Sequence, residues 1–206
     1  MNIFYKICVI LIIIGGINWV LENKDNENVG KDAEKAKKAF AGCEIAGKKL
    51  GVIGLGAIGV KVANAATKLG MDVYGYDPFL SVDAALRLDR HVHVVKDVNE
   101  LYRRADYITP HIHYNEKTRH MIDARAFAAM KPGVRLINLA RGGVVDDEAL
   151  LAALDAGQVT AYVTDFPTNA LTVHPHVIAL PHLGASTPES EENCAVMAAE
   201  ELRDYL

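Results

Sequence analysis

The chain has 206 residues, half of them apolar, and a formal net charge of −4 at pH 7. This length and composition indicate a folding globular chain with one large domain, alone or with appendages. A weakly acidic chain without a long basic run lacks the charge pattern of a nucleic-acid-binding protein, so we predict no nucleic-acid partner.

The first 38 residues differ in composition from the rest. Residues 7–21 are almost entirely apolar, and residues 22–38 are rich in Lys, Glu and Asn. The apolar stretch is shorter than the roughly 20 residues of a bilayer span, and no clear small-residue cleavage site follows it. We therefore predict an apolar N-terminal helix and a polar linker over residues 1–38. A signal-like segment or a marginal membrane anchor is the alternative.

Short apolar strand patterns alternate with helix-length segments from Lys48 onward, which is typical of βαβ units and a parallel sheet. Strands are predicted over residues 49–53, 72–76, 92–95, 107–109, 135–139, 160–163 and 177–179. Helices are predicted over residues 57–69, 98–104, 124–130, 147–156 and 188–205. The fold class is therefore α/β, a doubly wound parallel sheet of the Rossmann type. We predict that residues 39–206 form this single nucleotide-binding domain.

The first predicted strand ends in Gly54, Gly56 and Gly59, spaced as G-x-G-x-x-G at the start of a helix. The first glycine permits a tight turn, the second lets the backbone approach a pyrophosphate, and the third lets the helix pack closely on the strand. The helix N-terminus then offers N–H groups to the phosphates. The same spacing occurs in flavin proteins, methyltransferase-like folds and ordinary glycine turns, so the context has to decide.

Asp77 ends the second predicted strand, near the acidic position expected roughly 20 residues beyond the glycines. A carboxylate there accepts hydrogen bonds from the adenosine ribose hydroxyls and repels a 2′-phosphate. The pattern therefore predicts NAD rather than NADP. The alternative is that Asp77 and Pro78 simply start a turn.

Ligands of such sheets bind beyond the carboxyl ends of the strands, so the residues that follow each strand are site candidates. Arg141 and His182 both follow apolar strands and would emerge where a cofactor and a substrate meet. From the residues alone, Arg141 also fits a surface ion pair and His182 a strand-end histidine bonded to backbone. His111 and His113 lack a third ligand at a suitable spacing, so no metal site is predicted.

Five motifs occur in order along the chain: GVIGLGAIG (51–59), YDP (76–78), MKPG (130–133), INLARGGVVD (137–146) and LPHLGAST (180–187). Together they resemble the D-isomer-specific 2-hydroxyacid dehydrogenase family, most closely its D-3-phosphoglycerate dehydrogenase branch. The resemblance covers about residues 40–206, and residues 15–20 look like the helix that precedes this domain in some members.

This resemblance implies an NAD-dependent dehydrogenase that transfers a hydride between NAD and a small D-2-hydroxy acid or its 2-oxo form, in serine biosynthesis. It implies that His182 is the general acid/base and that Arg141 grips the substrate carboxylate. Together with the glycine turn, it gives these predicted cofactor residues: Gly54, Gly56, Ala57, Ile58, Gly59, Asp77, His111, Leu139, Ala140, Arg141, Asp165, His182, Gly184 and Ala185.

Two departures from the family pattern affect the predicted activity. The family orients its histidine with a glutamate, but Asn169 or Ala170 holds that position here, so we expect His182 to lack an acid partner. We also expect the family's substrate domain to be largely absent. The alternative function is therefore a catalytically inactive NAD-binding or dimerisation module.

The resemblance also implies a homodimer, because family members usually dimerise through this domain. Three distant cysteines without a C-x-x-C pair suit a reduced, cytoplasmic setting, and we assign none of them a catalytic or metal role.

Overall fold

The computed structural model describes residues 43–184 and 186–205. Strands and helices alternate along them: β1 (Lys49–Ile53), α1 (Ala57–Lys68), β2 (Asp72–Tyr76), α2 (Val82–Arg87), β3 (His93–Val95), α3 (Val98–Arg104), β4 (Tyr107–Pro110), α4 (Ala124–Ala129), β5 (Val134–Asn138), α5 (Asp147–Asp155), β6 (Val159–Thr164), α6 (Asn169–Thr172), β7 (Val177–Ala179) and α7 (Pro188–Tyr205). A 3-10 turn covers Gly142–Val144. The N-terminal helix and linker predicted for residues 1–38 lie outside the described residues.

The seven strands form one parallel sheet in the order β3-β2-β1-β4-β5-β6-β7. The order of the chain reverses between β1 and β4, which makes this the topological switch point of a doubly wound sheet. The predicted fold class is confirmed, and each predicted strand overlaps an observed one. None of the helices in the described part of the chain has the length and apolar character that a bilayer span requires.

Helices α2 and α6 were not predicted from the sequence. Helix α2 has six residues and α6 has four, so neither is long enough to give a helical period of apolar residues. Capping explains α2 better than packing does, because the Ser81 hydroxyl accepts a hydrogen bond from Ala84 N at 3.1 Å and the helix buries no residue.

Two clusters of buried apolar side chains hold the helices against the sheet. One joins α1 to β1 and β2 and includes Ala63, Ala66 and Val73. The other joins α3, α4 and α5 to the remaining strands and includes Leu101 and Leu150. The inner strands carry nearly continuous apolar runs because both faces of a parallel sheet are covered. This packing leaves the strand ends as the exposed edge where a site can form.

The carboxyl ends of the seven strands are aligned along one edge of the sheet, and β3 joins it because Val95 pairs with Tyr76. Strand register pairs Ile53 with both Tyr76 and Pro110. On the other half of the sheet, Asn138 pairs with Thr164, and Thr164 with Ala179. The loops that carry the predicted site residues therefore leave the sheet side by side.

The turn between β1 and α1 requires glycine at two positions. Gly54 has a φ of +89°, and a Cβ there would lie 2.6 Å from the carbonyl oxygen of His111. A Cβ on Gly59 would overlap the carbonyl oxygen of Gly54, so α1 packs directly on the turn. Gly56 differs, because a Cβ there would meet nothing within 4 Å among the described residues. The roles predicted for the first and third glycines are confirmed.

We expect Gly59→Ala to lower the free energy of unfolding by about 1–3 kcal/mol, the usual cost of overpacking. The overlapping atom belongs to the backbone of the turn, so it cannot rotate away as a side chain would. Gly56→Ala is the matched control, with an expected change within about 0.5 kcal/mol. Urea unfolding of both variants measures the difference, and equal losses would contradict the packing argument.

Candidate active site

A cleft of about 500 Å³ opens at the switch point of the sheet, between the loops that follow β1, β2 and β4. Its lining includes four of the predicted cofactor residues: Gly54, Gly56, Asp77 and His111. The volume lies within the range of small-molecule and cofactor pockets. The structure thus brings together the glycine turn and the acidic residue that the sequence placed about 20 positions apart.

Helix α1 begins at the floor of this cleft with an open N-terminus. Gly56 is its N-cap, and no side chain in the described residues caps the first turn. Ala57 and Ile58 are exposed, and the first turn carries no acidic residue. Uncapped N–H groups and the positive end of the helix dipole favour an anion at this point.

Asp77 ties two walls of the cleft together through its carboxylate. Oδ2 accepts a hydrogen bond from Leu55 N at 2.9 Å, within the glycine turn. Oδ1 accepts one from Phe79 N at 2.8 Å, which forms a local turn over residues 77–79. The turn considered as an alternative is therefore present. Each carboxylate oxygen has a second acceptor site, so the turn leaves capacity for ligand hydroxyls.

His111 lies on the opposite wall, directly after β4. Its Nε2 is 3.1 Å from Oγ1 of Thr109, and its backbone N–H donates to Ile53 O at 2.7 Å. Desolvation lowers the pKa of His111 to about 4. The imidazole is therefore neutral at physiological pH and adds no positive charge to the cleft.

Asn138 orders the loop that follows β5, a role that the sequence reasoning missed. Its side chain is fully buried, and its Nδ2 donates to Arg141 O at 2.9 Å and to the Tyr162 hydroxyl at 3.2 Å. Its Oδ1 accepts from Ala140 N at 3.2 Å. The sequence feature that could have indicated this role is the single amide side chain within the apolar run Leu136-Ile137-Asn138-Leu139. These bonds hold the backbone of Ala140 and Arg141, two of the predicted cofactor residues, at the end of the strand.

Phe166 lies between the two predicted catalytic side chains. The guanidinium carbon of Arg141 stands 5.8 Å from the centre of its ring, and the ring of His182 packs against it at 4.5 Å between centroids. Arg141 also donates from Nη1 to Ala140 O at 2.7 Å. One aromatic ring thus contacts both the permanent cation and the titratable imidazole, and sequence reasoning assigned it no role.

His182 has a carboxylate partner, so the expectation that it lacks one is wrong. Its Nδ1 lies 2.8 Å from Oδ2 of Asp165, which follows β6. The Asp165 side chain is only 12 % exposed, whereas that of His182 is 54 % exposed. The other oxygen, Oδ1 of Asp165, is buried and has no hydrogen-bond partner among the described residues. Asn169 and Ala170 make no hydrogen bond to His182 in that part of the chain.

The predicted residues form two groups along the same edge. Gly54, Gly56, Asp77 and His111 line the cleft, and Arg141, Asp165 and His182 gather around Phe166. Gly184 lies in an exposed turn just after His182, whereas Ala185 lies outside the described residues.

A second pocket of about 480 Å³ beside Phe166 carries the carboxylates of Asp146, Asp147 and Glu148, so it would repel a carboxylate substrate.

Comparison with known proteins identifies the family of this arrangement. The model of the D-isomer specific 2-hydroxyacid dehydrogenase, NAD binding domain, matches residues 16–184. The D-3-phosphoglycerate dehydrogenase of Methanocaldococcus jannaschii is 40% identical over 182 residues, 85% of this chain and 34% of that protein. The Bacillus subtilis enzyme of the same name is 40% identical over 181 residues, with the same two shares. The chain spans about a third of the length of these relatives.

Solved structures give the same result. Rhodotorula graminis D-mandelate dehydrogenase has a TM-score of 0.69 at 31% identity, over 83% of this chain and 51% of that one. Aquifex aeolicus D-lactate dehydrogenase, complexed with NAD and lactic acid, has a TM-score of 0.67 at 28% identity, over 85% of this chain and 60% of that one. The chain therefore belongs to the D-isomer-specific 2-hydroxyacid dehydrogenase family, and it carries that family's NAD-binding domain.

Proposed function

We propose that residues 39–206 form the dinucleotide-binding domain of an NAD-dependent dehydrogenase that interconverts a D-2-hydroxy acid and its 2-oxo acid. The observation that carries the proposal is the position of the Arg141, Phe166 and His182 cluster on the same sheet edge as the glycine-lined cleft. Arg141 can bind a carboxylate and His182 can transfer a proton, and both lie on the edge that also carries the cleft for a dinucleotide.

The residues present fit an NAD molecule. Among the described residues, no atom lies within 4 Å of the place where a Cβ on Gly56 would stand. No side chain of these residues caps the N-terminus of α1. The buried Oδ1 of Asp165 needs a hydrogen-bond donor, which a carboxamide would supply. Asp77 would hold the adenosine ribose and Gly56, Ala57 and Ile58 the pyrophosphate. The nicotinamide end would contact Leu139, Ala140, Asp165, Gly184 and Ala185.

The nicotinamide ring supplies the hydride acceptor or donor when NAD is bound. Arg141 would hold the substrate carboxylate with two parallel hydrogen bonds, which orient the reacting carbon. His182 would take the hydroxyl proton during oxidation and return it during reduction. The contact of Phe166 with both side chains restricts where Arg141 and His182 can move.

The relatives named D-3-phosphoglycerate dehydrogenase favour a phosphorylated 2-hydroxy acid as substrate, and hence a step of serine biosynthesis. Arg141 provides for the carboxylate of such a substrate. The phosphate of such a substrate would need cations other than Arg141.

We expect the chain to bind NADH and to bind NADPH at least tenfold more weakly, because the Asp77 carboxylate repels a 2′-phosphate. Asp77→Ala removes a charged hydrogen bond of about 1.5–3 kcal/mol to the ribose, so NADH affinity falls and the preference for NADH is reduced. Fluorescence titration with both dinucleotides measures the two affinities. Asp83→Ala is the matched control, since it removes an exposed carboxylate in α2 outside the cleft.

Equal affinity of the unaltered chain for NADH and NADPH would contradict the role of Asp77. Gly56→Ala adds a test of the site itself. A Cβ there meets no atom within 4 Å in the part of the chain that the structure describes, so loss of NADH binding with an unchanged unfolding free energy indicates a ligand in that space.

We expect slow NADH oxidation with a phosphorylated 2-oxo acid, reduced at least about a hundredfold in His182→Gln because general acid catalysis is lost. The control is His91→Gln, which removes an exposed histidine that pairs with Asp89 at the surface. Stopped-flow absorbance of NADH follows the reaction. Normal NADH binding without any oxidation would support the inactive dinucleotide-binding module instead.

We further propose a cytoplasmic homodimer, as the family resemblance implies. The exposed free thiols of Cys43 and Cys194 are compatible with a reducing compartment. Sedimentation equilibrium should give twice the 22.4 kDa mass of the chain, and a mass of one chain at micromolar concentration would contradict the dimer.

A further inference from the structure

His182 is held by a carboxylate that comes from a strand end. We propose that Asp165 is the positioning residue of His182, in place of the glutamate that the family resemblance leads one to expect near residue 169. The inference rests on the proposed function only in naming His182 as the proton-transfer group. It concerns a residue so far assigned to the cofactor alone.

The sheet fixes both members of the pair. Thr164, the last residue of β6, is fully buried, and its Oγ1 accepts from Phe166 N at 3.1 Å, which sets the turn that carries Asp165. Leu180 N donates to Thr164 O at 2.8 Å, two residues before His182. The two side chains therefore meet because β6 and β7 are hydrogen-bonded neighbours in this register.

The imidazole is restrained on two sides. Oδ2 of Asp165 bonds its Nδ1 at 2.8 Å, and the ring of Phe166 packs against it at 4.5 Å with an interplanar angle of 43°. The carboxylate is the more buried partner and the imidazole the more exposed one. A fixed acceptor thus orients a side chain that would otherwise rotate freely in solvent.

The bond selects one tautomer of His182. An ionised carboxylate only accepts hydrogen bonds, so Nδ1 carries the proton in the neutral imidazole. Nε2 is then the unprotonated nitrogen, available to take a proton from a substrate hydroxyl. This is the arrangement in which an orienting acid prepares a histidine base.

Asp165 can orient His182 and bind the cofactor at the same time, because each role uses a different carboxylate oxygen. Oδ2 is engaged by His182, whereas the buried Oδ1 lacks a donor in the described part of the chain. A cofactor amide on Oδ1 leaves the bond to His182 intact. One side chain thereby connects the proton-transfer group to the dinucleotide site.

The tautomer of His182 can be read from long-range ¹H–¹⁵N correlation spectra of the ¹⁵N-labelled chain without cofactor or substrate. The chain has eight histidines, and His182→Gln identifies the signal of interest. We expect neutral His182 as the Nδ1–H tautomer. Asp165→Ala should abolish that preference, whereas Asn169→Ala, the matched control, should leave it unchanged.

The Nε2–H tautomer in the unaltered chain would overturn the inference, as would a change in Asn169→Ala but not in Asp165→Ala. Backbone amide spectra check that each variant folds. Where Asp165→Ala does not fold, the nearly isosteric Asp165→Asn takes its place, and its Nδ1–H population should fall because the charged acceptor is gone. If the unaltered chain has the Nδ1–H tautomer but does not bind NADH, that result counts only against the proposed function.

Discussion

The site depends on three buried polar side chains at the ends of neighbouring parallel strands. Thr109, Asn138 and Thr164 are the buried polar residues of the part of the chain that the structure describes. They lie at the carboxyl ends of β4, β5 and β6, respectively, and each bonds to the residue two positions further on: His111, Ala140 and Phe166. A buried polar group costs free energy unless it is satisfied, so the start of each loop is held in place.

This arrangement explains why loop residues can form a defined site. Loops are ordinarily the most mobile part of a domain, and catalytic geometry tolerates little displacement. Here a side chain at the end of β4, β5 or β6 holds the residue two positions further along the chain. Arg141 and His182 are exposed, yet each stands within three residues of a strand-end hydrogen bond. The apolar core therefore determines the position of the exposed chemistry.

The elements that the sequence predicted well are those with local signals. The strands show as apolar runs, and Gly54 and Gly59 stand where the backbone leaves no room for a side chain. The missing elements have non-local causes. The bond between Asp165 and His182 depends on how β6 pairs with β7, which no residue spacing reveals. Helices α2 and α6 are too short to show a period, and the role of Asn138 depends on what surrounds it.

The two aspartates of the site illustrate how environment separates roles that the sequence treats alike. Both follow a strand at the same edge of the sheet. Both oxygens of Asp77 accept hydrogen bonds from backbone N–H groups, which fix the position of this carboxylate. Its negative charge would repel the 2′-phosphate of NADP. Asp165 instead bonds the side chain of His182 through Oδ2. Its buried Oδ1 has no hydrogen-bond donor among the described residues. A ligand amide at that oxygen would satisfy a buried acceptor and leave the bond between Oδ2 and His182 in place, so one carboxylate can serve both the dinucleotide and the histidine.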